Sequence, residues 1–192
     1  ECQPEKDLRG LIEKFINKGF SGIISFPTIG FIEDEETRRE HEMEGGGFAK
    51  EAEMIRIARE MDVFTMAYTF YPKDAKAMAK AGVDVLVPHC GGTAGGEAGL
   101  EAALKGFGTE EYEEAAKKVG EMIDAARDVR SDIICLAHGG PFATPRDVEY
   151  LYQHTIAQGF VGASSIERIP VEKAVKETSE EFKAPPQNDS RS

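Results

Sequence analysis

The chain has 192 residues, of which 41% are apolar, and a formal net charge of −12. These values suit one globular domain and argue against a nucleic-acid-binding or anionic-membrane surface. No apolar run approaches the roughly 20 residues of a membrane span, and no secretory segment opens the chain, so we expect a cytoplasmic protein. The three cysteines form no CxxC pair, and neither a disulfide framework nor a zinc knuckle is indicated.

Short apolar runs alternate along the chain with amphipathic stretches of helical spacing. A helical pattern comes first, in "PEKDLRGLIEKFINKG", and predicted strands follow at 19–28, 62–70, 83–90, 132–140 and 159–165. Thr144 before Pro145 is the pattern of a helix N-cap with proline at the first helical position. Strands that are apolar almost throughout and alternate with helices indicate a parallel sheet covered by helices, so the predicted class is α/β.

Two architectures fit this pattern. One is an open five-stranded doubly wound parallel sheet. The other is a (β/α)8 TIM barrel, which usually takes about 250 residues, with its first three βα units upstream of residue 1. The helix-first start favours the barrel, and we assign it residues 1–183. The tail at 184–192 is rich in proline and polar residues and is predicted to be disordered.

Two predicted strands end in nearly the same way. "VDVLVPHCGGT" (83–93) delivers His89, and "DIICLAHGGP" (132–141) delivers His138, each with a glycine pair close behind. Sites in both architectures lie at the carboxyl ends of parallel strands, and a buried histidine needs a partner. We therefore predict that the histidines act there as proton donor or oxyanion stabiliser. The alternative is that each is a core residue with a satisfied ring.

Glycines after a strand let the backbone approach a ligand and aim N–H groups at it. The predicted contacts to substrate or phosphate at the strand ends are Thr28, Gly91, Gly92, Gly139 and Gly140. The last loop, "GFVGASSIERIP", adds a second set with Arg168 as its fixed charge: Gly162, Ala163, Ser164 and Ser165. The alternative for the two serines is that they only cap the following helix.

Several motifs together resemble the phosphoenolpyruvate hydrolase-like, or phosphonopyruvate hydrolase-type, family of TIM-barrel proteins. They are "FPTIG", "EAEMIRIA", "AMAKAGVDVLVPH", "HGGPFATPRDVEYL" and "GFVGASSIERIPVEKAV". The resemblance implies that the first three βα units are missing and that the last two strands are the seventh and eighth. It implies hydrolase or lyase chemistry on a small anionic 2-oxo acid. Glu167 is an acidic candidate of this chain, and we place it beside the two histidines in the predicted catalytic set.

The same resemblance makes Mg²⁺ plausible, although no full ligand set can be named and the KxCGH-like motif of related lyases is absent. Glu42, Glu51 and Glu53 are acidic candidates, but the last two face apart on a helix. A homo-oligomer or a partner domain that completes the barrel is expected. Two alternatives of other classes stay open: a ligand-binding or regulatory barrel without turnover, and an interaction domain of a larger protein.

Overall fold

The structure, a computed structural model, describes residues 7–96 and 108–184. All but the first residue of the predicted 184–192 tail lies outside these ranges. The strands are β1 (Gly22–Ser25), β2 (Phe64–Thr69), β3 (Val85–Pro88), β4 (Ile134–Ala137) and β5 (Gly159–Phe160). The helices are α1 (Leu8–Asn17), α2 (Glu35–Met43), α3 (Phe48–Glu60), α4 (Pro72–Ala81), α5 (Thr109–Arg127), α6 (Pro145–His154) and α7 (Ile169–Lys183), with a 3-10 turn at Ile29–Phe31.

The five strands form one sheet in the order β1-β2-β3-β4-β5, and every neighbouring pair is parallel. A doubly wound sheet reverses its strand order at a switch point and carries helices on both faces. This sheet has no reversal. The described strands therefore follow one another as they do around a (β/α)8 barrel, and the predicted α/β class and barrel segment are confirmed.

Helices α3, α4, α5 and α6 pack against one face of the sheet, which we call the outer face. Side chains from helices and strands form one apolar core there, and its fully buried members include Ile55, Met78, Leu86, Ile123 and Leu151. Cys135 belongs to this core, as expected for a strand residue. The burial of these side chains fixes the register of each strand, because a one-residue slip would turn its apolar residues to the other face.

The opposite, inner face carries a smaller apolar cluster built around Tyr68, Val85 and Val87. No described helix residue belongs to this cluster. Beside it, large apolar side chains of the same face stay open to solvent: Ile24 (39% exposed), Phe26 (60%), Phe64 (49%) and Ile134 (44%). An apolar sheet face of this kind is the surface that the interior of a closed barrel buries.

Local signals in the sequence place the ends of two helices. The Thr144 hydroxyl accepts the Asp147 N–H at the start of α6, and Pro145 follows at the first helical position, as predicted. Gly82 ends α4 with φ +89°, a left-handed value that favours glycine. Among the described helices, none is both long and apolar enough to cross a bilayer.

Candidate functional site at the strand ends

The two histidine motifs lie side by side and pair with each other. His89 and His138 form a parallel bridge just beyond β3 and β4. The His138 N–H donates to the Pro88 carbonyl at 3.0 Å, and the Cys90 N–H donates to the His138 carbonyl at 2.9 Å. Alternation places both side chains on the inner face. Their ring centroids are 4.5 Å apart in an edge-to-face arrangement, so the two imidazoles converge on one place.

The glycines behind the histidines allow the two loops to approach each other. The Gly140 N–H donates to the Gly91 carbonyl at 2.9 Å, and the Ala94 N–H donates to the Gly140 carbonyl at 3.0 Å. A Cβ on Gly140 would lie 2.6 Å from the Cβ of Cys90, and one on Gly139 would lie 3.1 Å from Cε1 of His89. The space that these glycines leave is thus taken by the neighbouring loop, and the Gly140 amide is already bonded.

Hydrogen bonds assign opposite roles to the two imidazoles. Nδ1 of His89 accepts the Gly91 N–H at 3.0 Å, so its proton is on Nε2. Nδ1 of His138 lies 2.6 Å from the Val161 carbonyl, which can only accept, so this nitrogen carries a proton. A neutral His138 therefore has its lone pair on Nε2. Within the described chain, no hydrogen bond uses either Nε2 atom, which leaves one donor and one acceptor available.

Burial keeps His89 in its neutral form. Both histidines are only 7% exposed. Loss of hydration and, to a smaller extent, the neighbouring His138 lower the pKa of His89 to about 3. Protonation of Nδ1 would also break the bond from Gly91, since a doubly protonated ring has no acceptor. His89 is therefore a fixed N–H donor rather than a group that exchanges its proton at neutral pH.

Aromatic rings surround the pair. Phe70 stacks on His89 with centroids 4.4 Å apart, and the Tyr68 ring lies 5.2 Å from His89 and 5.3 Å from His138. No hydrogen bond to the Tyr68 hydroxyl occurs within residues 7–96 and 108–184, and burial raises its pKa. Sequence reasoning missed Tyr68, although the alternation of Met66, Tyr68 and Phe70 in "FTMAYTF" places the three on one face.

A cleft of about 570 Å³ opens beside His89 at the ends of β2 and β3, and His138 does not line it. His89, Gly91 and Gly92 line it together with Lys118 of α5. The N–H of Gly91 is directed to His89, so this glycine both shapes the cleft and holds the imidazole. Gly91 and Gly92 thus border a cleft, and their contacts to a substrate stay a prediction.

The last loop is tied to His138 through Val161, and its next four residues form a turn. The Ala163 carbonyl accepts the N–H groups of Ile166 and Glu167 at 2.8 and 2.9 Å. The N–H groups of Gly162, Ala163, Ser164 and Ser165 have no described acceptor within the chain. Consecutive unbonded N–H groups suit an anion. The predicted loop thus retains unused donors one residue beyond the carbonyl that holds His138.

Other predicted residues of this loop have different surroundings. Arg168 pairs with Glu172 at 3.1 Å and donates to the Gly95 carbonyl at 3.1 Å, so it joins the last loop to the glycine-rich segment. Glu167 is exposed and has no described partner. Ser165 lines a second cleft of about 600 Å³ against α6. The assignments of Glu167 and Arg168 remain predictions.

Thr28, in the turn that follows β1, contacts one of the acidic candidates. Thr28 is buried, and its hydroxyl bonds with Gly30 and Glu51. Glu53 faces solvent and pairs with Lys50 at 2.8 Å, whereas Glu51 is half-buried. The prediction that these two glutamates face apart agrees with the structure. The Thr28 hydroxyl is already engaged within the protein.

The described residues do not fit a magnesium centre. Mg²⁺ prefers carboxylate and water oxygens in octahedral geometry, but the groups around the imidazoles are aromatic rings. In the described ranges, no three His, Cys, Asp or Glu side chains come together as a ligand set. The steps proposed below use no metal ion.

A one-sided layer of helices on a parallel strand arc, with polar groups gathered at the strand ends, defines a (β/α)8-barrel segment with its site in the position usual for barrels. The chain belongs to the phosphoenolpyruvate hydrolase-like family, whose model matches residues 2–184.

Similar proteins come from plants and bacteria. The tomato (Solanum lycopersicum) proteins "ToMV susceptible protein tm-1(GCR26)" and "ToMV resistance protein Tm-1(GCR237)" are each 36% identical over 182 residues. A Sinorhizobium fredii protein, y4pA, whose name proposes a transcriptional regulatory role, is 31% identical over 181 residues. Each alignment covers 94% of this chain but only 23%, 23% and 29% of the respective relative. The chain therefore spans about a quarter of the length of these relatives.

Proposed function

We propose that the strand-end site binds a small anionic 2-oxo or enol-phosphate acid, such as phosphonopyruvate or phosphoenolpyruvate, and catalyses its hydrolysis. The observation that carries the proposal is the opposite hydrogen-bonding state of His89 and His138 at a ring separation of 4.5 Å. The fixed N–H donor can polarise an oxygen of the substrate. The neighbouring lone pair can accept a proton and return it to the same substrate. The family match supports this substrate class.

The anionic end of the substrate would bind the last loop. Four successive N–H groups from Gly162 to Ser165 have no described acceptor in the chain, and backbone amides of this kind bind phosphate or phosphonate oxygens. The Val161 carbonyl holds His138 at 2.6 Å, so an anion on these amides would lie next to that ring. The overall charge of −12 makes such a local donor set necessary for an anionic ligand.

For phosphonopyruvate, the chemistry would run as follows. Nε2 of His138 accepts a proton from water while the water oxygen forms the new P–O bond. The C–P bond breaks, its electron pair forms the pyruvate enolate, and the Nε2–H of His89 stabilises the enolate oxygen. His138 then returns the proton to C3 of the enolate, which gives pyruvate and phosphate. With phosphoenolpyruvate, the O–P bond breaks and the same enolate results.

The aromatic surroundings would strengthen these interactions. Tyr68 and Phe70 contact the imidazoles and carry no charge that competes for the ligand. Hydrogen bonds in a site with little water are electrostatically stronger than in bulk solvent. We infer that these rings exclude water from the enolate while the loop amides hold the anion.

Phosphate release from phosphonopyruvate and phosphoenolpyruvate by the intact protein tests the proposal. We expect turnover by the wild type, and a loss of about 100-fold or more in kcat for His138→Gln, which keeps an N–H but removes the base. His154→Gln is the matched control, because His154 is an exposed histidine on α6. Saturable binding without product would instead favour a ligand-binding barrel, and an unchanged rate in His138→Gln would refute the role of the base.

A second proposal concerns what covers the inner face. Phe26 and Phe64 are 60% and 49% exposed, which is unfavourable for large apolar side chains in water. We propose that three further βα units, from the same polypeptide or from a partner, close the barrel over this face. Size-exclusion chromatography of the 192-residue chain alone should then show association or aggregation. A compact soluble monomer would contradict the proposal, and a defined dimer would favour a second copy as the cover.

A further inference from the structure

Glu51, in the first turn of α3, holds the turn that follows β1. Its Oε1 accepts the Ile29 N–H at 2.7 Å, and its carboxylate also bonds with the Thr28 hydroxyl. The oxygen of that hydroxyl accepts the Gly30 N–H at 3.0 Å, so its proton is free to donate to Glu51. One carboxylate thus bonds with two residues of the segment Thr28–Phe31, here called the β1 turn, and the Thr28 hydroxyl links it to a third, Gly30.

The β1 turn in turn packs on the aromatic rings beside His89. A Cβ on Gly30 would lie 3.2 Å from Phe70 and 3.5 Å from Phe48, so the turn fits closely. Phe31 meets Phe70 edge to face with centroids 5.4 Å apart. It also lies 6.4 Å from the His89 ring. Movement of the β1 turn would therefore be passed to the Phe70 ring that stacks on His89.

One carboxylate oxygen of Glu51 is a hydrogen-bond acceptor that its described contacts do not use. Its Oε2 is buried without a hydrogen-bond partner among the described residues, and so is Nη1 of Arg38. Arg38 of α2 instead directs Nη2 at Asp74 of α4, 3.0 Å away in a buried ion pair. The pKa of Glu51 is raised to about 7, chiefly by burial and to a smaller extent by Asp74, against the opposing effects of Thr28, Ile29 and Arg38.

We propose that Glu51 is a positioning residue. Its carboxylate holds the β1 turn against Phe70 and thereby fixes the position of the Phe70 ring that stacks on His89. Loss of the negative charge weakens two charge-assisted hydrogen bonds to the turn, and the Phe70 ring then shifts relative to His89. This role belongs to the site of the proposed function. The contacts among Glu51, the β1 turn and Phe70 do not depend on whether the site turns over a substrate.

Histidine-selective ¹³C NMR of the intact protein tests this without a substrate. In the wild type, the chemical shift of the His89 Cε1–H signal should change as Glu51 ionises. This change forms one component of its pH profile, with a midpoint near pH 7. Glu51→Gln keeps an acceptor for the Ile29 N–H but cannot ionise, so this component should vanish. Glu53→Gln is the matched control, two positions along the same helix and exposed to solvent, and it should retain the wild-type profile.

A second variant separates the connection through the turn from a direct effect of charge. Thr28→Val removes the hydroxyl link but leaves Glu51 ionisable, and it should reduce the amplitude of the same component. A His89 profile that is identical in the wild type and Glu51→Gln would overturn the inference. A protein that shows the expected profiles but hydrolyses neither phosphonopyruvate nor phosphoenolpyruvate would uphold the inference and refute the proposed function.

Discussion

The pairing of the two histidine loops makes Gly140 a residue where an added methyl group should lower stability. Its φ is +61°, and an added Cβ would lie 2.6 Å from the Cβ of Cys90 and 2.8 Å from the Cys90 carbonyl oxygen. Neither neighbour is the free end of a flexible side chain. In Gly140→Ala the loops must therefore separate, which strains the bond between the Gly140 N–H and the Gly91 carbonyl.

Two contributions set the expected loss of stability. A left-handed backbone costs a residue with a Cβ about 1–2 kcal/mol. A buried hydrogen bond that is lost or badly distorted adds about 1–3 kcal/mol. We therefore expect Gly140→Ala to lower the free energy of unfolding by about 2–5 kcal/mol.

The matched control is Gly45→Ala. Gly45 also has a left-handed φ, +76°, but a Cβ there would meet nothing within 4 Å. Only the backbone contribution of about 1–2 kcal/mol should apply. Urea unfolding of the intact protein, followed by circular dichroism, measures both variants. Equal losses in the two variants would refute the reasoning, because they would mean that the close approach of the loops contributes nothing.

Three further outcomes follow from burial and charge. The pKa of the Cys90 thiol is raised to about 12 by burial, so thiol reagents at pH 8 should modify Cys90, followed by peptide mass spectrometry, far more slowly in native than in urea-unfolded protein; equal rates at Cys90 would contradict the burial. The pKa of His89 falls from 6.5 to about 3 on folding, so the unfolded chain binds a proton at a higher pH than the folded chain does. The free energy of unfolding should therefore drop as the pH falls from 6.5 towards 3. Urea titrations at acid pH measure this dependence, and His89→Gln should make it less steep. Arg38→Met leaves Asp74 buried without its partner and should cost about 3–5 kcal/mol, whereas Arg9→Met, in an exposed ion pair, should cost less than about 1 kcal/mol.

Much of the fold could be predicted from apolar patterning. Strands such as "VDVLVP" are apolar on both faces because helices cover one face and the barrel interior lies on the other. The choice between a barrel and a doubly wound sheet could not be made from this pattern, since both alternate strands with helices. The distinction rests on the strand order and on the face that each helix covers, which depend on the crossover connections.

The site was predictable in location but not in its contacts. The similarity of "PHCGG" and "AHGG" indicated two histidines at strand ends. The structure brings the rings of His89 and His138 together. The sequence could not show that Gly140 bonds with Gly91, because that contact depends on the register of β3 against β4. The burial of Glu51 was also beyond prediction, since the helical spacing of Glu51 and Glu53 does not say which of them faces the β1 turn.

The most direct test of the account is long-range ¹H–¹⁵N NMR of the histidine rings in the intact protein at neutral pH, with and without phosphonopyruvate. We predict that His89 is protonated on Nε2 with an unprotonated Nδ1, that His138 is protonated on Nδ1, and that the ligand shifts both Nε2 signals but leaves those of His154 unchanged. The same tautomer in both rings, or a ligand that moves neither Nε2 signal, would contradict the account.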